Sequence, residues 1–363
     1  MNNFKNVAFA IIISLPNVVL AQIDTIKANK KKQIIIFPVI ARSIETSWSF
    51  GVATSSTFHL SKADTLTRTS NIQALALYSI KKQFIAALEG SQYTKNESYI
   101  FNELFTYSSF PDKFWGIGKY TPETAEEPYD FNQYYINLHV LKNLGHHFFV
   151  GTLLEMQNLI SINYKNGGVF DIQNVLGRKP YFIAGLGFSL TYDNRSNAFS
   201  PGKGTFTQIY FNHFDKYFAS DYIYSSIVVD ARKYIPFKKN VLAFQGYYLG
   251  NLGSDVPIRS LATLGGSNRM RGFYEGRYRD NQSIMVQSEF RFPVYKRFSA
   301  VAFGGVGDVA KSIKDFSLST FKASYGAGLR FAVNKTEKLN IRVDYGFSSN
   351  GTSGLYFQLG EAF

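Results

Sequence analysis

The sequence predicts an all-β protein: an antiparallel transmembrane β-barrel of sixteen strands. Period-two alternation recurs along the chain, which sends successive side chains to opposite faces of a sheet. The polar faces carry charges of both signs, while 24 Tyr and 34 Phe among 363 residues crowd the segment ends, as interfacial girdles require. After the amino terminus no stretch reaches the roughly 18 apolar residues of a membrane helix. A soluble barrel of this size would fill its interior with apolar side chains. The pattern here is the inverse, wet inside and apolar outside.

The elements follow in order. Lys5, the apolar run Val7 to Leu15 and the small-residue site Val19-Leu20-Ala21 read as an export signal over 1–21, cleaved before Gln22. Residues 22–33, ending in Lys30-Lys31-Lys32, form a short polar periplasmic tail. From Ile34 to Phe363 no linker divides the chain, so 34–363 is expected to be one barrel domain whose counted strands start near Thr46. An even strand number returns both chain ends to the periplasmic side. Residues 22–363 shared among sixteen strands leave roughly twenty-one per strand and connection, enough for about ten spanning residues.

Individual strands carry the pattern plainly. From Tyr222 to Lys233, Asp230 and Arg232 fall on the polar face. From Ser283 to Phe292, Ile284, Val286, Phe290 and Phe292 oppose Ser283, Met285, Gln287, Glu289 and Arg291. From Leu339 to Phe347, Leu339, Ile341, Val343, Tyr345 and Phe347 oppose Asn340, Arg342, Asp344 and Gly346. At the end Leu355, Phe357, Leu359 and Phe363 are expected to share one face.

Between two such strands, Gly265 to Asp280 form a glycine-rich, arginine-rich loop. Arg269, Arg271, Arg277 and Arg279 bring fixed charge and planar forks suited to carboxylates or phosphates. Gly265, Gly266, Gly272 and Gly276 open backbone geometries closed to other residues, so a re-entrant tip can form.

The core of that loop, Arg271-Gly272-Phe273, resembles the signature of the BamA/TamA superfamily, the bacterial surface-antigen barrels. Asp193-Asn194-Arg195 with Pro201-Gly202-Lys203-Gly204 is similar to that family's turn between the eighth and ninth strands. Phe357, Leu359 and Phe363 look like its terminal strand, the targeting signal read by the assembly machinery. The resemblance covers about Tyr192 to Phe363 by motif and the first half by strand pattern.

It implies a loop folded into the lumen, with Arg271 paired to Asp344 on the penultimate strand or to Glu289. Gly305 departs from it, standing where many relatives carry an acidic residue on strand thirteen. It implies further an outer-membrane barrel that assists insertion or translocation of proteins or lipids, working at the seam between first and last strands. Gly51, Gly354 and Gly360 would weaken packing at that seam. Members of the family carry periplasmic POTRA domains, and here twelve residues stand in their place. A separate POTRA-type or chaperone partner, direct action on lipid and unfolded barrel clients, and retention of the fold alone stay open.

Other functions leave weaker traces. The histidines His59, His139, His146, His147 and His213 are scattered and no Gly-x-Ser-x-Gly turn occurs, so no enzyme and no cofactor are expected. Absence of cysteine removes disulfide scaffolds, thiolate metal sites and lipoprotein attachment. Arg291, Arg330 and Arg342 on inward faces suit an anion-selective or plugged pore as the rival reading. A net charge of +13 on an exported barrel points to lipopolysaccharide and other anionic lipids of the outer membrane, not to nucleic acid.

Overall fold

The computed structural model describes residues 33–60, 67–197, 199–334 and 338–363. The expected export signal lies outside them, as does the expected tail except Gln33, which opens the first strand.

Alternation dictates strands, and strands with one apolar face close on themselves to remove their edges. The chain forms β1 (Gln33–Ser43), β2 (Ser47–Phe58), β3 (Ser70–Ser79), β4 (Phe84–Tyr93), β5 (Tyr99–Phe114), β6 (Glu127–Gly145), β7 (Phe148–Tyr164), β8 (Tyr181–Asp193) and β9 (Gly204–Phe214). It continues through β10 (Tyr224–Phe237), β11 (Asn240–Leu252), the short β12 (Ala262–Leu264) and β13 (Tyr278–Asp280), then β14 (Gln282–Tyr295), β15 (Phe298–Ala310), β16 (Lys322–Asn334), β17 (Leu339–Ser348) and β18 (Ser353–Leu359). All but β12 and β13 make one closed antiparallel barrel of sixteen strands, with β1 beside β18 and β11 beside β14. β12 and β13 form a hairpin of their own inside the loop that joins β11 to β14.

Up-and-down order puts the beginning of β1 and the end of β18 at one rim, here the terminal rim. Three connections there are two-residue turns, His146–His147, Lys238–Lys239 and Lys296–Arg297, while 59–69 and 194–203 are longer. The opposite rim, the loop rim, carries the long connections 115–126, 165–180, 253–281 and 311–321.

Three expectations are corrected. The first strand is Gln33–Ser43, and Thr46 sits in the turn after it, where its hydroxyl bonds Ser43 at 3.0 Å. Gly51 is therefore in β2, opposite Val39 and Leu77. In β1 the continuous apolar run Ile34 to Phe37 and Pro38 hide the period-two alternation that marks the other strands.

The chain end also leaves the sheet. Gly360 takes φ +83°, a geometry that favours glycine, and turns residues 361–363 into the lumen. Phe363 is buried against Tyr234 and Ala243, away from the face of Leu355, Phe357 and Leu359.

The lumen, finally, is not simply wet. Phe110, Phe114, Phe131, Phe170 and Ile258 pack together beneath the loop rim, and Val39, Ala41, Leu75, Leu77 and Leu104 line the β1–β5 wall. Alternation reports which face points inward, but not whether water or protein meets it there. Where loops fill the barrel, inward apolar residues gain partners.

Candidate functional site: the lumen lock

The loop between β11 and β14 enters from the loop rim. β12 and β13 pair through Ala262–Asp280, Thr263–Arg279 and Leu264–Tyr278, and this short ladder aims the tip at the barrel wall. Turn hydrogen bonds close the tip: Gly276 N–H donates to Leu264 O at 3.1 Å, and Phe273 N–H to Met270 O at 3.2 Å. Met270 and Phe273 are fully buried with Leu264, Tyr278, Met285 and Val309. The apolar part of the tip thus docks like a piece of core, and the arginines are held by what surrounds it.

Arg271 is 1% exposed. One guanidinium nitrogen, Nη1, donates to Asp344 Oδ2 at 2.5 Å, and Nη2 donates to Glu289 Oε1 at 2.6 Å. Its plane lies over the Phe303 ring, 3.5 Å from the centroid. A planar fork bridges two carboxylates on separate strands with a fixed geometry, whereas an ammonium on a flexible stem would meet them only as a point charge. Both residues weighed as partners are thus used, β14 supplying Glu289 and β17 supplying Asp344.

Room for the contact comes from missing side chains. A Cβ on Gly272 (φ +113°) would lie 2.6 Å from the carbonyl carbon of Phe347, and one on Gly346 would lie 2.6 Å from Arg271 O. Gly272 N–H donates to Tyr356 Oη at 2.9 Å, and Thr352 Oγ1 donates to Gly272 O at 2.8 Å. The tip is therefore bonded to β18 itself. Gly305, where the family resemblance led one to look for an acid, leaves space beside Met270, since a Cβ there would stand 3.3 Å from Sδ.

The charges form one network. Asp344 also accepts from Arg330 and, at 3.4 Å, from Arg342. Glu289 accepts from Arg291 Nε at 2.8 Å. Arg330 Nε continues to Glu361 at 2.7 Å, and Arg291 Nη2 donates to Phe363 O at 2.9 Å. Arg271, Arg291, Arg330 and Arg342 thus meet Asp344, Glu289 and Glu361 in one buried site. Arg342 also donates to the neutral oxygens of Asn268 and Gln358. Burial opposes ionisation of Glu361, but Arg330 and Arg291 override it and hold the carboxyl at about 2.

The remaining loop arginines meet other walls. Arg277 bonds Glu123 at 2.9 Å and Thr121 Oγ1 at 2.8 Å. Arg279 donates to Tyr129 Oη at 3.3 Å and Lys113 O at 3.2 Å. Arg269 stacks on Tyr247 at 4.0 Å. Glu275 lies deep in the lumen beside a cavity of about 200 Å³ that Glu45, Asp112 and Arg259 also line. Its backbone N–H donates to Glu45 Oε1 at 2.8 Å. Burial, with the Glu45 carboxylate second, pushes the Glu275 carboxyl up to about 7.

The turn motif lies at the terminal rim between β8 and β9. Arg195 grips Asp193 with two bonds, 2.8 and 2.9 Å, and stacks on Phe206 at 4.5 Å. Pro201 is buried, and Gly204 (φ +113°) passes so close to Asn194 O that a Cβ would stand 2.6 Å away. Ser200 donates to Glu361 at 3.2 Å, which ties this turn to the network. Phe357 pairs with Arg42 across the β1–β18 junction and meets Trp48 edge-on at 6.5 Å. Leu359 packs against the Val39 cluster.

The structure brings together Arg271, Asp344 and Glu289, the residues that the family resemblance singles out. Sequence reasoning left Arg330, Tyr356 and Glu361 without a role in the lock. Tyr356 was legible in principle, as an inward residue of β18; Glu361 was not, because the turn at Gly360 moves it off the strand.

The comparisons with known proteins follow this geometry. No curated protein sequence matches the chain. Among solved structures, BamA from Haemophilus ducreyi lacking POTRA domains 1–3 is similar with a TM-score of 0.61 at 12% identity, over 92% of this chain and 71% of that one. CdiB from Acinetobacter baumannii is similar with a TM-score of 0.59 at 10% identity, over 92% of this chain and 60% of CdiB. At such identities the likeness is one of fold. The model of the Omp85 superfamily domain matches residues 45–363, and the chain therefore belongs to that superfamily, as a sixteen-stranded barrel of the bacterial outer membrane.

Proposed function

We propose that the barrel assists insertion or translocation of proteins at the outer membrane through the seam between β1 and β18. The carrying observation is the asymmetry of pairing. Among the described residues β1 pairs with β18 at Arg42–Phe357 alone, while it shares eleven pairs with β2, and β17 shares seven with β18. Few ladder bonds hold this edge, so it opens at lower cost than any other junction and presents a template for an incoming strand. The lock supports the same reading, because the loop tip is bonded to β18 through Tyr356 and thereby steadies the last strand while the seam opens. Unfolded barrel clients and a separate periplasmic POTRA-type or chaperone protein are the partners this reading needs.

A cysteine-free chain makes the test clean. Arg42→Cys with Phe357→Cys places two thiols across the seam, and Phe331→Cys with Ile341→Cys places two across β16–β17 as a control. Oxidation of the first pair is expected to abolish client insertion into vesicles reversibly, and oxidation of the second to leave it intact. Insertion that persists with the seam closed sinks the gate.

The plugged pore is the second reading, favoured by the packed lumen beneath the loop rim. Planar-bilayer recording separates them: a barrel that stays closed in the wild type and conducts steadily once Arg271→Ala frees the loop supports a plugged pore, and small transient openings of the wild type support the gate.

A further inference from the structure

A run of exposed lysines lies at the terminal rim. The turns joining β8 to β9, β10 to β11 and β14 to β15 are consecutive along that rim. They and the strand ends beside them carry five exposed lysines: Lys203, Lys233, Lys238, Lys239 and Lys296. Among the described residues of these turns the one carboxylate is Asp193, already gripped by Arg195. Of the five, Lys233 bonds a neutral hydroxyl, Thr205 Oγ1, at 2.9 Å, and none pairs with a carboxylate among the described residues. The loop rim differs, since Glu123, Glu126, Asp171, Asp215, Asp255 and Asp315 interleave there with the bases.

Exposed aromatics lie directly under the lysines. Phe237 is 53%, Tyr295 63% and Phe298 50% exposed, on strand ends that face lipid. Lys296 Nζ stands 4.9 Å from the Tyr295 ring and Lys238 Nζ 5.9 Å from that of Phe237. Aromatic side chains of this kind settle at the membrane–water boundary. A lysine above one keeps its stem along the apolar surface and its ammonium at the level of the headgroups. Five like charges along three neighbouring turns, with Asp193 the one carboxylate among their described residues, repel one another, and a layer of anions at the same height relieves that repulsion.

We propose that this strip is a docking surface for the phosphate groups of anionic glycerophospholipids, in the leaflet that meets the terminal rim. The assignment rests on charge and depth and is independent of the gate. Lysines near an anionic leaflet gain about fivefold in association each, so removing four is expected to lower lipid retention at least about tenfold even with strong non-additivity.

The test uses the full chain in nanodiscs containing phosphatidylcholine and phosphatidylglycerol in equal parts. Native mass spectrometry counts the lipids that stay bound at low and at high salt. The rim variant carries Lys233→Gln, Lys238→Gln, Lys239→Gln and Lys296→Gln; the control carries Lys165→Gln, Lys179→Gln, Lys311→Gln and Lys314→Gln at the loop rim. Heat-modifiable mobility on gels verifies that both are folded. Salt-sensitive enrichment of phosphatidylglycerol that the rim variant loses and the control keeps supports the proposal. Equal enrichment in wild type and rim variant overturns it. Loss in the control alone, or displacement of phosphatidylglycerol by purified lipopolysaccharide in the rim variant and wild type alike, moves the anionic lipid to the loop rim and overturns it as well. Rim-dependent, salt-sensitive retention of an acidic periplasmic protein without lipid enrichment refutes the lipid assignment.

Discussion

Arg271 concentrates the electrostatics of the lock in one side chain. Truncating it leaves Asp344 and Glu289 buried with less compensation, and breaking a buried pair from one side costs about 3–5 kcal/mol. Arg271→Ala is therefore expected to release the loop, seen as new protease cleavage between Gly265 and Arg277 in the folded barrel. Arg271→Lys retains the charge but not the two-pronged geometry, and is expected to recover less than half of the protection. Unchanged cleavage in the alanine variant would show that Met270 and Phe273 alone hold the tip. Gly272→Ala adds a Cβ where φ is +113° and Phe347 backbone is 2.6 Å away. It should cost roughly 1–3 kcal/mol of tip stability. Gly202→Ala, which meets nothing within 4 Å, serves as the neutral comparison by thermal melting.

Two elements respond to pH with opposite signs. The carboxyl of Glu361, ordinarily near 4.5, stands at about 2 when its segment is folded into the lumen. A depressed carboxyl contributes stability above its unfolded value and loses it as pH falls through the folded one. The segment 361–363 is thus expected to stay docked above pH about 4.5 and to loosen as pH falls toward 2. A fluorophore on Ala362→Cys would report this as a rise in mobility, and Glu361→Gln should flatten the transition. A signal that is constant down to pH 2 would remove Glu361 as the anchor.

The loop tip behaves the other way. Glu275 is raised from 4.5 to about 7, with Glu45 and Asp112 as like charges and Arg269 and Arg259 as opposing ones. A raised carboxyl favours the folded tip while it is protonated, so tip stability declines as pH rises from about 4.5 through 7, by roughly 3 kcal/mol at most. Hydrogen exchange of residues 270–277 is expected to be slower at pH 5 than at pH 8 after correction for intrinsic rates. Glu275→Gln should abolish the difference, and a difference that survives in that variant assigns it to another group.

At the scale of the barrel, the seam and the lock act on the same strand. Among the described residues β18 is bonded to β17 along seven pairs, to the loop tip through Tyr356, and to β1 through the pair Arg42–Phe357. Local opening follows the least-bonded path. Amides of β1 between Gln33 and Ser43 that face β18 are therefore expected to exchange far faster than those of β14, which is paired on both sides. Uniform protection around the barrel would argue that the seam is as closed as any other junction.

The sequence by itself determined the class of the molecule and the inward face of its polar strands. Period two is set by the backbone, so Asp230, Glu289, Arg291, Arg342 and Asp344 had to share one side once their segments were strands. The loop was legible too, since Gly272 and its arginines are residue types chosen for unusual backbone and for carboxylates. Tertiary structure alone decided the rest. Which carboxylate an arginine meets depends on register between strands distant in sequence, and Arg271 reaches Glu289 and Asp344 together because β14 and β17 curve around one lumen. The place of the first strand, the inward turn at Gly360 and the apolar clusters beneath the loops were hidden for the same reason. Alternation encodes the two sides of a sheet, whereas closure and the filling of the lumen depend on what the rest of the chain brings there.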